Sequence, residues 1–368
     1  MKNIYFLLSL LFSITLVSNH SFSQEEEEEE EDFSAYDSFD MDENTKRYCT
    51  PKIVGISPAK LITIGYDFAG PHTINAGAMG DLIPSQSEEV SNYHGLRLGL
   101  NLPLVSNNKI LINLGMTYLK ANYNFTNSSL AHPLHRALNG NIRSLGVNTT
   151  IFKPLNEKNF LLGFYAAEYS GNYDFIYFQS MGLVKHSAVL VYGWKPHDRL
   201  QYGFGATQSY RAGEVNLFPI IMYNFTSKNR NWGIEALLPA RMHYRYKLDQ
   251  RSLLFAGFEL EGTSYHLSNR PYVDFPENLT FTNPPGESPY DAGNLELRRS
   301  EIRLHAKYEY GITSFIWLSA QVGYALNYRF DVDNGEFFRG FFKDVPYVME
   351  NQVSGTPYIQ LSLNLVSP

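Results

Sequence analysis

One cysteine stands in 368 residues, and only 18% of the chain is charged. A lone thiol excludes a disulfide scaffold. It also excludes zinc ribbons and iron–sulfur sites, which need several soft ligands. The formal net charge of −7 lacks the Lys/Arg excess of a phosphate-neutralising surface, which argues against a nucleic-acid partner. No apolar run after the first residues reaches the roughly 18 positions of a membrane helix. There is no Gly-rich phosphate loop followed by Lys-Ser/Thr, no His-Glu-x-x-His helix and no Gly-x-Ser-x-Gly elbow. The chain therefore reads as a non-enzyme, and nothing in it points to a bound cofactor. Aromatic residues are what it has in abundance, with 26 Tyr and 25 Phe.

The start of the chain has the three parts of a secretory signal: Lys2, an apolar stretch from Ile4 to Val17, and small residues in Ser21-Phe22-Ser23. That stretch has 14 residues, short of the roughly 20 a spanning helix needs. Residues 1–23 are expected to be removed. Cys49 lies too far beyond the cleavage point to be an acylated lipoprotein cysteine. The next stretch holds Glu25 to Glu31, Asp32, Asp37, Asp40, Asp42 and Glu43, and no base before Lys46. The rest keeps 25 of the 37 acids and 29 of the 30 bases, so the acidity belongs to this leader. Adjacent Glu residues repel and bury nothing, so 24–56 is expected to be a disordered periplasmic leader.

The body, 57–368, is written in period two. Leu96, Leu98, Leu100 and Leu102 alternate with Arg97, Gly99 and Asn101. Ile302, Leu304, Ala306, Tyr308 and Tyr310 alternate with Glu301, Arg303, His305, Lys307 and Glu309. Ile359, Leu361, Leu363 and Leu365 alternate with Gln360, Ser362 and Asn364. Side chains alternate across a strand, so each segment has one apolar and one polar face. A soluble sandwich and a transmembrane barrel both fit that pattern. Four features favour the barrel: the export signal, segments of about 10–12 residues, small polar residues on the wet face, and aromatics at segment ends such as Tyr192, Trp194, Tyr223, Phe225 and Trp232. Short and long connections also alternate, as periplasmic turns and extracellular loops do.

The fold expected is an all-β, antiparallel transmembrane β-barrel in the outer membrane. Twelve wall strands are read near 61–69, 93–104, 110–124, 141–152, 159–169, 183–194, 199–209, 215–226, 252–265, 296–310, 315–328 and 356–366. The stretch 232–248 is left over. A single-chain bacterial barrel has an even number of strands, so it contributes two strands or none. Pro239 cannot donate to a ladder and suits a corner. The reading preferred is an inner or rim hairpin on twelve strands, with fourteen strands as the alternative.

With the signal, the acidic leader, the alternating strands and the segment Leu237-Leu238-Pro239-Ala240-Arg241 before a strand ending in Gly262, the chain resembles an uncharacterised family of Gram-negative outer-membrane barrels, a domain of unknown function. It is also distantly similar to barrels encoded beside aromatic-degradation pathways. The resemblance implies outer-membrane lipid and the barrel-insertion machinery as partners, and no activity or functional residue. The chain departs from many such barrels at its end, Leu365-Val366-Ser367-Pro368, which lacks the terminal aromatic read by that machinery.

Candidate chemistry lies on the inward face. Glu301, Arg303, His305, Lys307 and Glu309 form one row, and Glu259 and Glu261 share the inward parity of their strand. Arg241, His243, Arg245 and Lys247 form a second row on the leftover hairpin, and Arg97 and Arg329 add cations. These charges fit either a selectivity network for small solutes or a structural plug, since about twelve strands enclose a narrower bore than the 16–18 of an open porin. His132 and His135 lack nearby further ligands, so no metal site is expected. His186 and Ser187 are adjacent and face opposite sides, which leaves a lipid hydrolase without a nucleophile–base pair. The functional readings are a narrow or plugged channel, a docking barrel acting through its loops and acidic tail, and, third, that hydrolase.

Overall fold

The computed structural model describes residues 49–173, 181–209, 216–269, 273–277, 294–335 and 347–367. The signal and the acidic part of the leader lie outside them.

The wall follows the alternation. Its strands are β1 (Lys60–Ala69), β3 (Gln86–Ser106), β4 (Leu111–Phe125), β5 (Ile142–Pro154), β6 (Asn159–Gly171), β7 (Lys185–His197), β8 (Leu200–Ser209) and β9 (Asn216–Thr226). They continue as β10 (Trp232–Leu238), β11 (Arg241–Lys247), β12 (Ser252–Leu267), β13 (Leu295–Gly311), β14 (Ile316–Asp333) and β16 (Thr356–Val366). Each pairs antiparallel with its neighbour, and β1 pairs with both β3 and β16, which closes the ring. Tyr66, for example, faces Leu96 on one side and Leu361 on the other. Two short strands, β2 (His72–Ala76) and β15 (Gln352–Val353), add a ribbon at the rim beside β3.

The barrel thus has fourteen wall strands. The stretch 232–248 is a wall hairpin, β10–β11, and not a separate inner or rim hairpin. Pro239 sits at its corner, as a residue without an N–H should.

Backbone pairing leaves the side chains to choose their solvent. On the outward face Ile64, Leu190 and Val322 are 53%, 60% and 52% exposed. Their neighbours in sequence face inward, and Asn364, Glu301 and Glu309 are buried. A continuous apolar outer belt around a polar interior is a surface for lipid. Aromatic rings edge the belt near the short turns. Trp194 stacks on Tyr202 at 5.6 Å, Phe225 packs on Trp232 at 5.4 Å, and Trp232 stacks on Tyr244 at 5.9 Å. Such rings sit at a membrane–water boundary.

Both ends of the barrel are filled. At the long-loop end lies helix α1 (Pro133–Asn139). It packs with β2 and the upper strands into a core that includes Ile74, Met79, Tyr123, Leu138, Leu297 and Phe330. At the short-turn end, residues 49–59 enter the mouth. Cys49 packs with Phe152, Phe160, Val191, Ile220 and Met222, and its amide donates to Asn156 O at 3.0 Å. Buried Lys195 donates to Thr50 Oγ1 at 2.9 Å and to Lys52 O at 2.6 Å. Residues 49–56, assigned above to the leader, are therefore part of the packed barrel mouth.

Leu304 projects from the middle of β13 into the belt. Leu304→Arg is expected to destabilise the barrel by about 2–4 kcal/mol, read as a lower urea midpoint for refolding into lipid vesicles.

Candidate functional site

The lumen has two unlike halves, because the inward positions of neighbouring strands differ in kind. On β5, β6, β7, β9 and β10 apolar side chains gather among small and polar ones: Phe152, Phe160, Leu162, Val191, Ile220, Met222 and Leu237 cluster there. Room for these rings comes from glycine. A Cβ at Gly193 would lie 2.1 Å from Cζ of Phe160, so only glycine admits that ring.

On β1, β3, β11, β12 and β13 charged residues stand among the inward positions, and they form an alternating chain. Arg97 Nε donates to Asp67 Oδ2 at 2.5 Å, and its Nη2 pairs with Glu261. Arg303 Nη1 meets Glu261 Oε2 at 2.6 Å, and its Nε meets Glu301 Oε1 at 2.5 Å. Arg299 Nη2 reaches Glu301 Oε2 at 2.9 Å. Three guanidiniums thus neutralise three carboxylates, and the Arg303 guanidinium also lies 5.0 Å from the Tyr358 ring centre. Charges removed from water need such full pairing to be tolerated.

Nearer the short turns a second group ties the mouth to the wall. Glu309 accepts from Lys60 Nζ at 2.8 Å and from Ser57 Oγ at 3.1 Å, and pairs with Lys307 at 3.2 Å. Arg245, wholly buried, meets Glu235 at 2.9 Å and donates to Thr226 Oγ1 at 2.9 Å. Between the two groups Glu259 Oε1 lies 3.1 Å from His243 Nε2, and Glu259 stands opposite Arg241 on β11.

The structure thus brings Arg97, Arg241, Arg245, Glu259, Glu261, Glu301, Arg303, His305, Lys307 and Glu309 to the lumen side of the wall. Arg329 is a correction. The β13–β14 register passes from Glu301–Asn327 to Ser300–Arg329 and Arg299–Phe330, skipping Tyr328. That bulge turns Phe330 into the core and places Arg329 on the opposite face. Asp67, Arg299 and Glu235 join the network without having been singled out in the sequence. Asp67 had one signal, its inward parity with Thr63 and Gly65 on the strand beside Arg97.

Two cavities meet within the barrel. One of about 440 Å³ borders Arg97, Thr117, Glu168, Glu259 and Glu261. The other, of about 370 Å³, is mainly apolar, with Leu162, Phe164, Val189, Phe218, Leu237 and Pro239 on its walls. Arg241 and Leu260 border both. The apolar cavity lies where the wall is shortest. Strand β9 last meets β10 at Ile221–Leu238, and β11 meets β12 from Arg241–Glu259. Among the described residues no strand stands between β9 and β12 beyond those pairs. Farther up, β6 touches β12 directly at Gly171–His266.

The two histidines of the long-loop cap are structural. His132 is the N-cap of α1: its Nδ1 accepts from Leu134 N at 3.2 Å while its Nε2 lies 3.1 Å from Gly77 O. His135 Nε2 lies 3.2 Å from Ile74 O. Burial, with His135 alongside, pushes His132 down to about 4, and burial lowers His135 as well. On the outer wall, His186 Nδ1 lies 2.7 Å from Tyr165 Oη. Ser187 borders the apolar inner cavity instead, so the two face opposite ways.

A family model described as a domain of unknown function (DUF6268) matches residues 86–365. A sequence comparison with the curated proteins finds no match. Among solved structures, the chain is similar to an outer-membrane channel from Pseudomonas putida F1, with 12% identity, 85% of this chain and 97% of that one covered, and a TM-score of 0.37. It is similar to the toluene transporter TodX of Pseudomonas putida, with 10% identity, 87% and 95% covered, and a TM-score of 0.33. The NanC porin matches at 7% identity, 83% and 100% covered, with a TM-score of 0.32.

Two outcomes are expected. Arg97→Ala takes from Asp67 its close guanidinium and from Glu261 one of its two, and should cost about 3–5 kcal/mol, seen as a lower melting point in heat-modifiable gel migration. The cap should also loosen in acid. His132 titrates lower folded than its ordinary value of about 6.5, so its contribution is complete above that value and is lost as pH falls toward about 4. Protection of the α1 amides from hydrogen exchange, taken relative to the intrinsic rate at each pH, should be lower at pH 5 than at pH 7 by up to about 2 kcal/mol. His132→Asn keeps a cap acceptor and should reduce the difference to the part that buried His135 contributes.

Proposed function

We propose a function for this chain, which belongs to the DUF6268 family of domains of unknown function: it is a narrow, plugged outer-membrane channel, non-enzymatic, for small solutes with an apolar body and a polar end. The observation that carries this reading is the paired cavity. An apolar chamber and a charged chamber share Arg241 and Leu260, and their sizes fit the roughly 300–1,000 Å³ of small-molecule sites. A solute lodged across them would keep its apolar part against Phe164 and Val189 and its polar end toward Arg241.

The filled ends define the route. Residues 49–59 occupy the short-turn mouth, which faces the periplasm in this reading, and the α1 cap occupies the loop end. Among the described residues the break in the wall between β9 and β12 is then the remaining access, and in this reading it opens toward lipid. A solute that partitions into the bilayer would enter there, and movement of the 49–59 segment would admit it to the periplasm.

Planar-bilayer recording tests the plug. The purified barrel should show little ion current, and deletion of residues 49–57 should raise it at least several-fold. Silence in both proteins would remove the channel reading. Cys49 gives a second check, because burial pushes its thiol up and hinders attack. A maleimide should label it slowly in the folded barrel, and faster with a solute that opens the mouth.

A further inference from the structure

We propose that the lumen holds a binding site for a first-row divalent transition metal, of the zinc type, with His243, Glu259 and His305 as ligands. The inference is independent of the channel reading.

The register of three strands builds the site. His243 on β11 stands opposite Gly257 on β12, and Gly257 stands opposite His305 on β13. Between the two imidazoles there is therefore no side chain. None can be added, since a Cβ at Gly257 would lie 2.0 Å from Met242 O. Across that gap the rings approach to 5.0 Å between centres at 64°. Glu259, two residues along β12 on the same face, supplies the third donor. One donor atom from each residue lies within 4.8 Å of the other two.

The hydrogen bonding leaves the donors available. His305 Nδ1 faces Arg303 O at 3.3 Å, which makes Nδ1 the protonated nitrogen and leaves a lone pair on Nε2. That Nε2 is buried and has no hydrogen-bond partner among the described residues, in a side chain of a residue only 7% exposed. His243 Nε2 is buried too, and its 3.1 Å approach to Glu259 lacks hydrogen-bond geometry. A carbonyl on the remote ring nitrogen is the usual second support of a ligating histidine. Two imidazoles and one carboxylate match zinc chemistry and leave a further position for water or a solute group. Metal–nitrogen bonds of about 2.0–2.1 Å require the three donors to draw together slightly, which rotation of Glu259 and His243 supplies.

The surrounding cations set the limits of affinity. Lys307 is engaged, at 3.2 Å from Glu309 and 4.3 Å from the Phe255 ring centre. Arg241 faces Glu259 across the β11–β12 pair and competes with a metal for the carboxylate.

The test uses the untagged full-length barrel in detergent, with folding checked by heat-modifiable migration. Co²⁺ is titrated with visible absorption as the readout, and Zn²⁺ by calorimetry. Wild type should bind one ion and give the intense bands of low-coordinate Co²⁺. His305→Ala should weaken binding at least 100-fold, and Glu259→Gln at least 10-fold. Arg241→Gln should tighten it, and the outer-wall variant His186→Ala should leave it unchanged. If folded wild type takes up no single ion, or if folded His305→Ala or the milder His305→Gln binds as tightly as wild type, the site does not exist. If those variants do not fold, the wild-type bands decide: octahedral-type, weak absorption overturns the proposal.

Discussion

Every feature of this barrel is subordinate to one requirement: in lipid each backbone N–H and C=O must find a partner within the protein. The ring meets it because β1 pairs on both sides, with β3 and with β16. Once the hydrogen bonds are spoken for by the ladder, side-chain alternation alone decides what faces lipid and what faces the lumen. Leu, Ile and Tyr go out, and Gly, Asn, Arg and Glu go in. The same requirement draws the short segment 232–248 into the wall, since a free edge on β9 or β12 would otherwise extend to the short-turn boundary.

The interior divides rather than averages its polarity. The apolar half closes by packing, with Phe160 seated over Gly193 and Cys49 brought in by the entering segment. The charged half closes by neutralisation, from Asp67 through Arg97, Glu261, Arg303 and Glu301 to Arg299. Neither half can be exchanged for the other. Apolar groups would leave the guanidiniums unpaired, and charges beside Phe160 would lack water and counter-ions. The cavities persist along the seam, where the two modes of packing meet.

Much of this was legible in the sequence because a period of two is a local signal. The twelve long segments fall on wall strands, and Glu301, Arg303, His305, Lys307 and Glu309 take the inward face their spacing implies. What was not legible depends on register between distant strands. The bulge that turns Arg329 away leaves no mark, because the skipped residue, Tyr328, is itself an apolar residue in an alternating run. Strands β10 and β11 have seven residues each, too few to read as spanning elements, and the wall accepts them because it is broken above them. His243 and His305 meet only because Gly257 lies between them, and no spacing within either strand announces that. The loop pair His132 and His135 looked like chemistry, but an imidazole capping a helix resembles a ligand until its partners are seen. Residues 49–56 follow an acidic run and share its lack of periodicity, which hid their place in the mouth.

The contact between β6 and β12 carries a topological consequence. Strands that alternate in direction can close only an even-membered ring without exception. The shortcut from β6 to β12 leaves out β7 to β11, and the smaller loop that remains has nine members, an odd number. Such a loop must contain one mismatched junction, and the Gly171–His266 contact is it: two strands running the same way, joined over a single residue pair. The girth of the molecule therefore changes from fourteen strands to nine along its axis, and the change is secured by a short stitch in which Asn172 donates its amide to His266 O at 3.1 Å and accepts from Ser268 N at 2.8 Å. Any widening of the upper collar would begin by unfastening that stitch, with every antiparallel ladder left whole.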